Sequence, residues 1–120
     1  MMKENIIKIK SFDFAVRIVH LFKFLKDDKK EFVLSKQLLR SGTSVGAMIR
    51  EAEHAQSKAD FIHKLSIAQK EINETIYWLE LLQATDYLNT KQFENIHANA
   101  IELIKLITSS IKTAKSNINH

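Results

Sequence analysis

Proline is absent from this 120-residue chain, and its two glycines, Gly42 and Gly46, stand four positions apart in one stretch. A chain with so few turn-forming residues cannot build the repeated tight turns of a sheet protein. Hydrophobic residues make up 45% of it, enough to cover a core. The architecture left open is a few long helices packed on one another. The length suits a single domain that buries its core without metal or disulfide staples. Cysteine is absent, which excludes disulfides and thiolate metal sites.

Periodicity divides the chain into four helices, at about 12–28, 32–55, 58–85 and 90–114. Ser11 is expected to cap the first, with Asp13 in its opening turn. Phe14, Ile18, Phe22 and Leu25 share its apolar face, and His20, Lys23, Lys26 and Lys30 lie opposite. The polar run "KDDKKE" ends that pattern. In the second helix Leu38, Gly42, Val45, Ile49 and Ala52 alternate spacings of four and three, which makes a seam. Ser57 with Asp60 is a capping-box-like start to the third helix. Phe61, Leu65, Ala68, Ile72, Thr75, Leu79 and Leu82 then keep the same alternation. Asn89 or Thr90 caps the fourth, whose inward set is Phe93, Ile96, Ala100, Leu103, Ile107 and Ala114. The tail "KSNINH" is expected to fray.

Short links force neighbouring helices to run antiparallel. The expectation is all-α: one antiparallel up-down-up-down four-helix bundle over residues 1–120. The opening "MMKENIIKIK" has no apolar run long enough for a signal peptide, and no segment reaches membrane-spanning length. The chain therefore reads as soluble and cytoplasmic, with no membrane contact.

Gly42 and Gly46 each cost a helix roughly 1 kcal/mol against alanine. Close approach of a neighbouring backbone would offset that cost, helped by Ser41, Thr43, Ser44 and Ala47 around them. A tolerated kink is the alternative.

The net charge is +4, unevenly spread. Residues 1–40 hold ten Lys/Arg against five Asp/Glu, whereas residues 41–90 hold four against seven. A basic first third suits an acidic partner such as nucleic acid, or is simply a solvated surface. The candidate phosphate contacts are Lys23, Lys26, Lys29 and Lys30, with Lys8, Lys10 and Arg17 behind them. Beside the third helix's seam lie Asp60, Glu71, Glu74 and Trp78. An indole among carboxylates, with Arg40 and Arg50 as partners, suits the rim of a subunit interface. The bland reading is an edge-filling Trp78 among solvated acids.

Catalytic patterns are thin. The Glu51/His54 and Glu94/His97 pairs have the Glu-x-x-His spacing of di-metal carboxylate bundles. In an up-down bundle, however, they would sit about 25 Å apart along the axis at about 1.5 Å rise per residue. No Gly-rich phosphate loop, HExxH or nucleophile elbow is present. His20, His63, His97 and His120 read as surface or rim residues. No metal and no cofactor are expected.

"SFDFAVRIVHLF" and "LSKQLLRSGTSVGAMIREAEHAQSKADFIHKLSIAQKEINETIYWLELL" resemble the four-helix-bundle proteins encoded in intervening sequences of bacterial 23S ribosomal RNA genes. The resemblance rests on the small-residue helix Gly42–Ala47, on Glu51, on the helix start Ser57/Asp60/Phe61 and on Glu74. It implies the same bundle and no established enzymatic activity. That family is similar to the accessory variability protein of diversity-generating retroelements, a basic homopentamer that binds nucleic acid and a reverse transcriptase. The resemblance thus implies a ring-like homo-oligomer such as a pentamer. Met48, Ala52 and the Lys70-Glu71 pair depart from the asparagine, glycine and Gly-Ser common in members. The leading expectation is a non-enzymatic homo-oligomer that binds structured RNA or DNA. A protein-binding scaffold is the second reading, and a metal-dependent enzyme is a remote third.

Overall fold

The computed structural model describes residues 2–118, with side chains for residues 5–117. Four helices follow in order: α1 (Met2–Asp27), α2 (Leu34–Glu53), α3 (Lys58–Ala84) and α4 (Thr90–Ile118). Together they form a rod of 52 × 22 × 20 Å. Each helix packs on its neighbours in the ring α1–α2–α3–α4, and the backbones of diagonal pairs stay apart. Ion pairs between helices fix the directions. Lys8 near the start of α1 meets Glu53 at the end of α2, and Lys64 early in α3 meets Glu51 late in α2. His97 early in α4 meets Glu80 late in α3. Sequential neighbours are therefore antiparallel, as the short links require.

Inward positions of the seams are buried: Leu38, Val45 and Ile49 in α2, Leu65, Ile72 and Leu79 in α3, and Ile96, Leu103 and Ile107 in α4. Each such side chain contributes about 1.5–3 kcal/mol by leaving water. Phe22, Phe61 and Phe93 are only half-buried, and Phe61 and Phe93 pack against the edge of the core. Phe93 stacks on the His97 ring there, with centroids 4.6 Å apart.

Ser11 is not a cap. α1 already runs from Met2, and Ser11 is a buried mid-helix residue whose hydroxyl donates to the Lys8 carbonyl at 3.1 Å. Nothing in residues 2–10 breaks a helix, and Ile7 extends the buried face there. Ser11 is small where smallness matters. A Cβ placed on Gly46 would lie 3.3 Å from the Ser11 carbonyl oxygen, and one on Gly42 would lie 2.8–3.0 Å from three Ile18 carbons. The two glycines therefore let α2 approach α1 closely.

α2 starts at Leu34 rather than near Phe32, and the buried carboxylate of Glu31 caps it. One Glu31 oxygen accepts from the Val33 and Leu34 amides at 3.2 and 3.0 Å, and the other accepts from Ser35 N at 2.6 Å. The Ser35 hydroxyl returns a bond to the Glu31 carbonyl at 2.7 Å. α3 starts as expected: Ser57 accepts from Asp60 N at 3.0 Å, and Asp60 accepts from Gln56 N. At α4, Asn89 and Gln92 exchange side-chain and backbone bonds at 2.8 and 3.0 Å, so Asn89 is the cap. α4 continues to Ile118, further than expected, and His120 lies outside the described residues.

Neither glycine serves a turn. Lys30, after α1, and Asp86, after α3, take the left-handed backbone with φ of 54° and 68°. Asp86 closes a Schellman motif: Tyr87 N donates to the Leu82 carbonyl and Asp86 N to that of Gln83.

Candidate nucleic-acid groove and subunit surface

The packing separates the basic residues of the first third. Lys8 faces α2 and sits 2.9 Å from Glu53, which holds that carboxyl below the usual carboxylate range. Lys10 faces α4 and sits 3.2 Å from Glu102. Both cations already have carboxylate partners. Lys23, Lys26, Lys29 and Lys30 are exposed at the turn between α1 and α2. Lys26 and Lys29 place their ammonium groups 5.6 and 5.9 Å from the Phe22 and Phe24 ring centres. Asp27 and Asp28 sit among these lysines, with Asp27 3.8 Å from Lys26. The acids weaken the field of the cluster.

Arg17 behaves differently. Antiparallel packing sets the last turns of α1 beside the first turns of α4, and a groove of about 560 Å³ runs between them. Arg17, His20 and Lys91 supply its basic groups, and Asn89, Gln92 and Asn95 supply amides. Leu21, Phe24 and Ile96 form its floor, and no carboxylate lines it among the described residues. Lys91 and Asn95 were not legible as site residues from their own surroundings in the sequence. The available signal was topological, since an up-down bundle must place them opposite Arg17.

The α2–α3 face resolves into contacts within one chain. Arg40 bonds Glu71 at 3.0 Å and also Glu74, and Glu74 accepts from the Trp78 indole N–H at 2.9 Å. The Trp78 bond, then Arg40, pull the Glu74 carboxyl below its ordinary range against the effect of burial. Trp78 is half-buried on the core's edge, and Tyr77 beside it is 56% exposed. Arg50 does not join this cluster. It faces α1, with its guanidinium 5.5 Å from the Phe12 ring centre. Glu51 pairs with Lys64 at 3.1 Å, and His54 is exposed beside it. Gly42 and Gly46 face α1, Ser57 and Asp60 serve the start of α3, and Phe61 is half-buried. Among the described residues no three His, Cys, Asp or Glu side chains converge.

An exposed apolar surface lies elsewhere. Ile6, Ile9, Phe12 and Val16 are 42, 61, 52 and 40% exposed on the outer face of α1. Their spacing of three, three and four makes one continuous stripe on a helix. The sequence held that signal as a second apolar face on a helix that already had its core face. No helix among the described residues is long and apolar enough to cross a membrane.

Comparison with known proteins agrees with this architecture. No curated protein sequence matches the chain. A crystal structure of a protein of unknown function from the S23 ribosomal protein family of Bacteroides thetaiotaomicron VPI-5482 is 62% identical. The alignment covers 92% of this chain and 98% of that one, with a TM-score of 0.91. The family description "23S rRNA-intervening sequence protein" matches residues 3–109. With that match across nearly its whole length, the chain belongs to the 23S rRNA-intervening sequence protein family.

Proposed function

We propose that the protein is a non-enzymatic, self-associating helical bundle that binds structured RNA or DNA through its basic surface. The observation that carries the reading is the α1–α4 groove, where Arg17, His20 and Lys91 meet without a carboxylate in its lining. Cations free of internal partners are the ones available to phosphates, and such pairings give affinity without sequence preference. Lys23, Lys26, Lys29 and Lys30 extend the footprint from one end of the groove. Amides at the rim suit sugar and phosphate oxygens. Self-association is supported by the α1 stripe and by the ring-like assembly that the family resemblance implies. A second copy would cover the stripe and multiply the +4 charge of one chain.

The test is binding of nuclease-treated protein to a ribosomal-RNA fragment and to duplex DNA across a salt series. Arg17→Glu combined with Lys91→Glu should weaken binding and reduce the log–log salt slope by about one for each phosphate no longer neutralised. Lys23, Lys26 and Lys30 changed to Glu should produce a further, smaller loss. Unchanged binding in both variants, or no binding by the parent protein at low salt, would overturn the reading. For assembly, Ile9→Glu with Phe12→Glu should shift the sedimentation velocity profile to monomer while the helical signal stays intact. Exposed Tyr77 favours the second reading, a protein-binding scaffold. That reading gains if a specific protein partner persists after nuclease treatment and is lost on Tyr77→Ala.

A further inference from the structure

At the end of the bundle away from the groove, the start of α1, the end of α2, the start of α3 and the later turns of α4 meet. They leave a cavity of about 370 Å³, within the range of small-molecule pockets, roughly 300–1,000 Å³. Ile7, Ile49, Ala52, Phe61 and Leu65 line it with apolar groups, the exposed Asn5 stands at its rim, and it has two hydroxyls: Ser57, which already accepts from Asp60 N, and Ser110. Ser110 is 8% exposed, and its Oγ has no hydrogen-bond partner. The other buried hydroxyls among the described residues are all engaged: Ser11 with Lys8, Ser35 with Glu31, and Ser41 and Thr75 with each other. Several mid-helix hydroxyls here turn back onto a carbonyl four residues earlier, as those of Thr43, Ser66 and Thr113 do. Ser110 alone among these buried hydroxyls is left with unmet bonding capacity, and it borders an apolar space. Such a group is costly unless something pairs with it.

We infer that this cavity binds a small neutral molecule, mostly hydrocarbon, whose one hydroxyl or amide group meets Ser110. Charge on the ligand is disfavoured. The one charged lining residue, Glu53, is at the exposed rim and is already paired with Lys8, so an ion inside would lack a counter-charge. The site lies at the opposite end from the groove and does not depend on nucleic-acid binding.

The test uses the full chain and two probes of similar shape, benzyl alcohol and toluene, followed by methyl-resolved NMR. Both should give saturable shifts at Ile7, Ile49 and Leu65, with benzyl alcohol binding more tightly. Ser110→Ala should weaken benzyl alcohol about three- to tenfold, the range of one buried hydrogen bond, and leave toluene unchanged. Ala55→Leu at the half-buried rim, which narrows the mouth, should weaken both. No saturable shift with either probe would overturn the proposal. So would a benzyl alcohol to toluene ratio that Ser110→Ala does not alter.

Discussion

Helix α2 meets its two ring neighbours by different means. Towards α1 it presents Gly42 and Gly46 to Ile18 and Ser11, and the fit there is one of shape. Towards α3 it presents Ser41 to Thr75 in the core and Arg40 to Glu71 and Glu74 at the rim. The first contact leaves no room for an added atom at Gly42 and little at Gly46. The second depends on each polar group keeping its partner. One helix thus carries a steric face and a polar face, and the two should fail differently.

The largest expected effect is on the steric face. Gly42→Leu must displace Ile18, and urea unfolding should show a loss of about 3 kcal/mol or more. An unchanged midpoint would mean that the close approach does not exist in solution. Thr75→Val on the polar face should cost about 1–2 kcal/mol, because it strips Ser41 of a buried partner. Adding Ser41→Ala to that variant should recover part of the loss, whereas no second change confined to polarity should rescue Gly42→Leu. A double variant no better than Thr75→Val would remove the hydroxyl pair as an explanation.

Glu31 seats the start of α2 beneath both faces. Glu31→Gln should cost about 1 kcal/mol at neutral pH, in the range of a lost helix cap. Burial opposes its ionisation, but the amides of Leu34, Ser35 and Val33 and the Ser35 hydroxyl outweigh that and hold its carboxyl below the usual glutamate range. A carboxyl with a lowered folded pKa stabilises fully above its unfolded value, and the contribution fades as pH falls through the folded one. Thermal unfolding of the parent and Glu31→Gln should therefore differ at neutral pH and converge only as pH falls through the lowered folded value. The carboxyls of Glu74 and Glu53 are also held low, but equally in both proteins, so the difference between the two curves isolates Glu31. Parallel curves would refute the cap. The smallest effect is expected at Gly46→Ala. The helix-propensity gain of about 1 kcal/mol meets a 3.3 Å contact with Ser11 that can relax by a few tenths of an ångström. Its unfolding midpoint should stay close to that of the parent, and a loss like that of Gly42→Leu would show that α1 and α2 cannot yield anywhere.

The seams were legible because burial repeats with the helix. Spacings of four and three in α2 and α3 name the core without knowledge of the partners. Capping was legible only where the cap stands alone in a polar link, as Ser57 and Asn89 do. Ser11 misled because a small residue suits a close helix contact as well as a helix start. Glu31 was hidden in a run of charges, where its role depends on how the chain turns at Lys30. The candidate site was legible as charge but not as pairing. Lys8 and Lys10 look like Lys23 in the sequence, yet partners 45 and 92 positions away engage them. Which cations stay free depends on helix facing and register, which composition does not record.

An even number of antiparallel helices brings the start of α1 and the end of α4 to the same end of the rod, beside the cavity. The basic groove and the exposed lysines lie towards the other end of the 52 Å rod. Any segment joined before α1 or after α4 must therefore leave from the cavity end. A tether at either terminus would orient the molecule with its lysine-bearing turn pointing outward, unobstructed by what holds it.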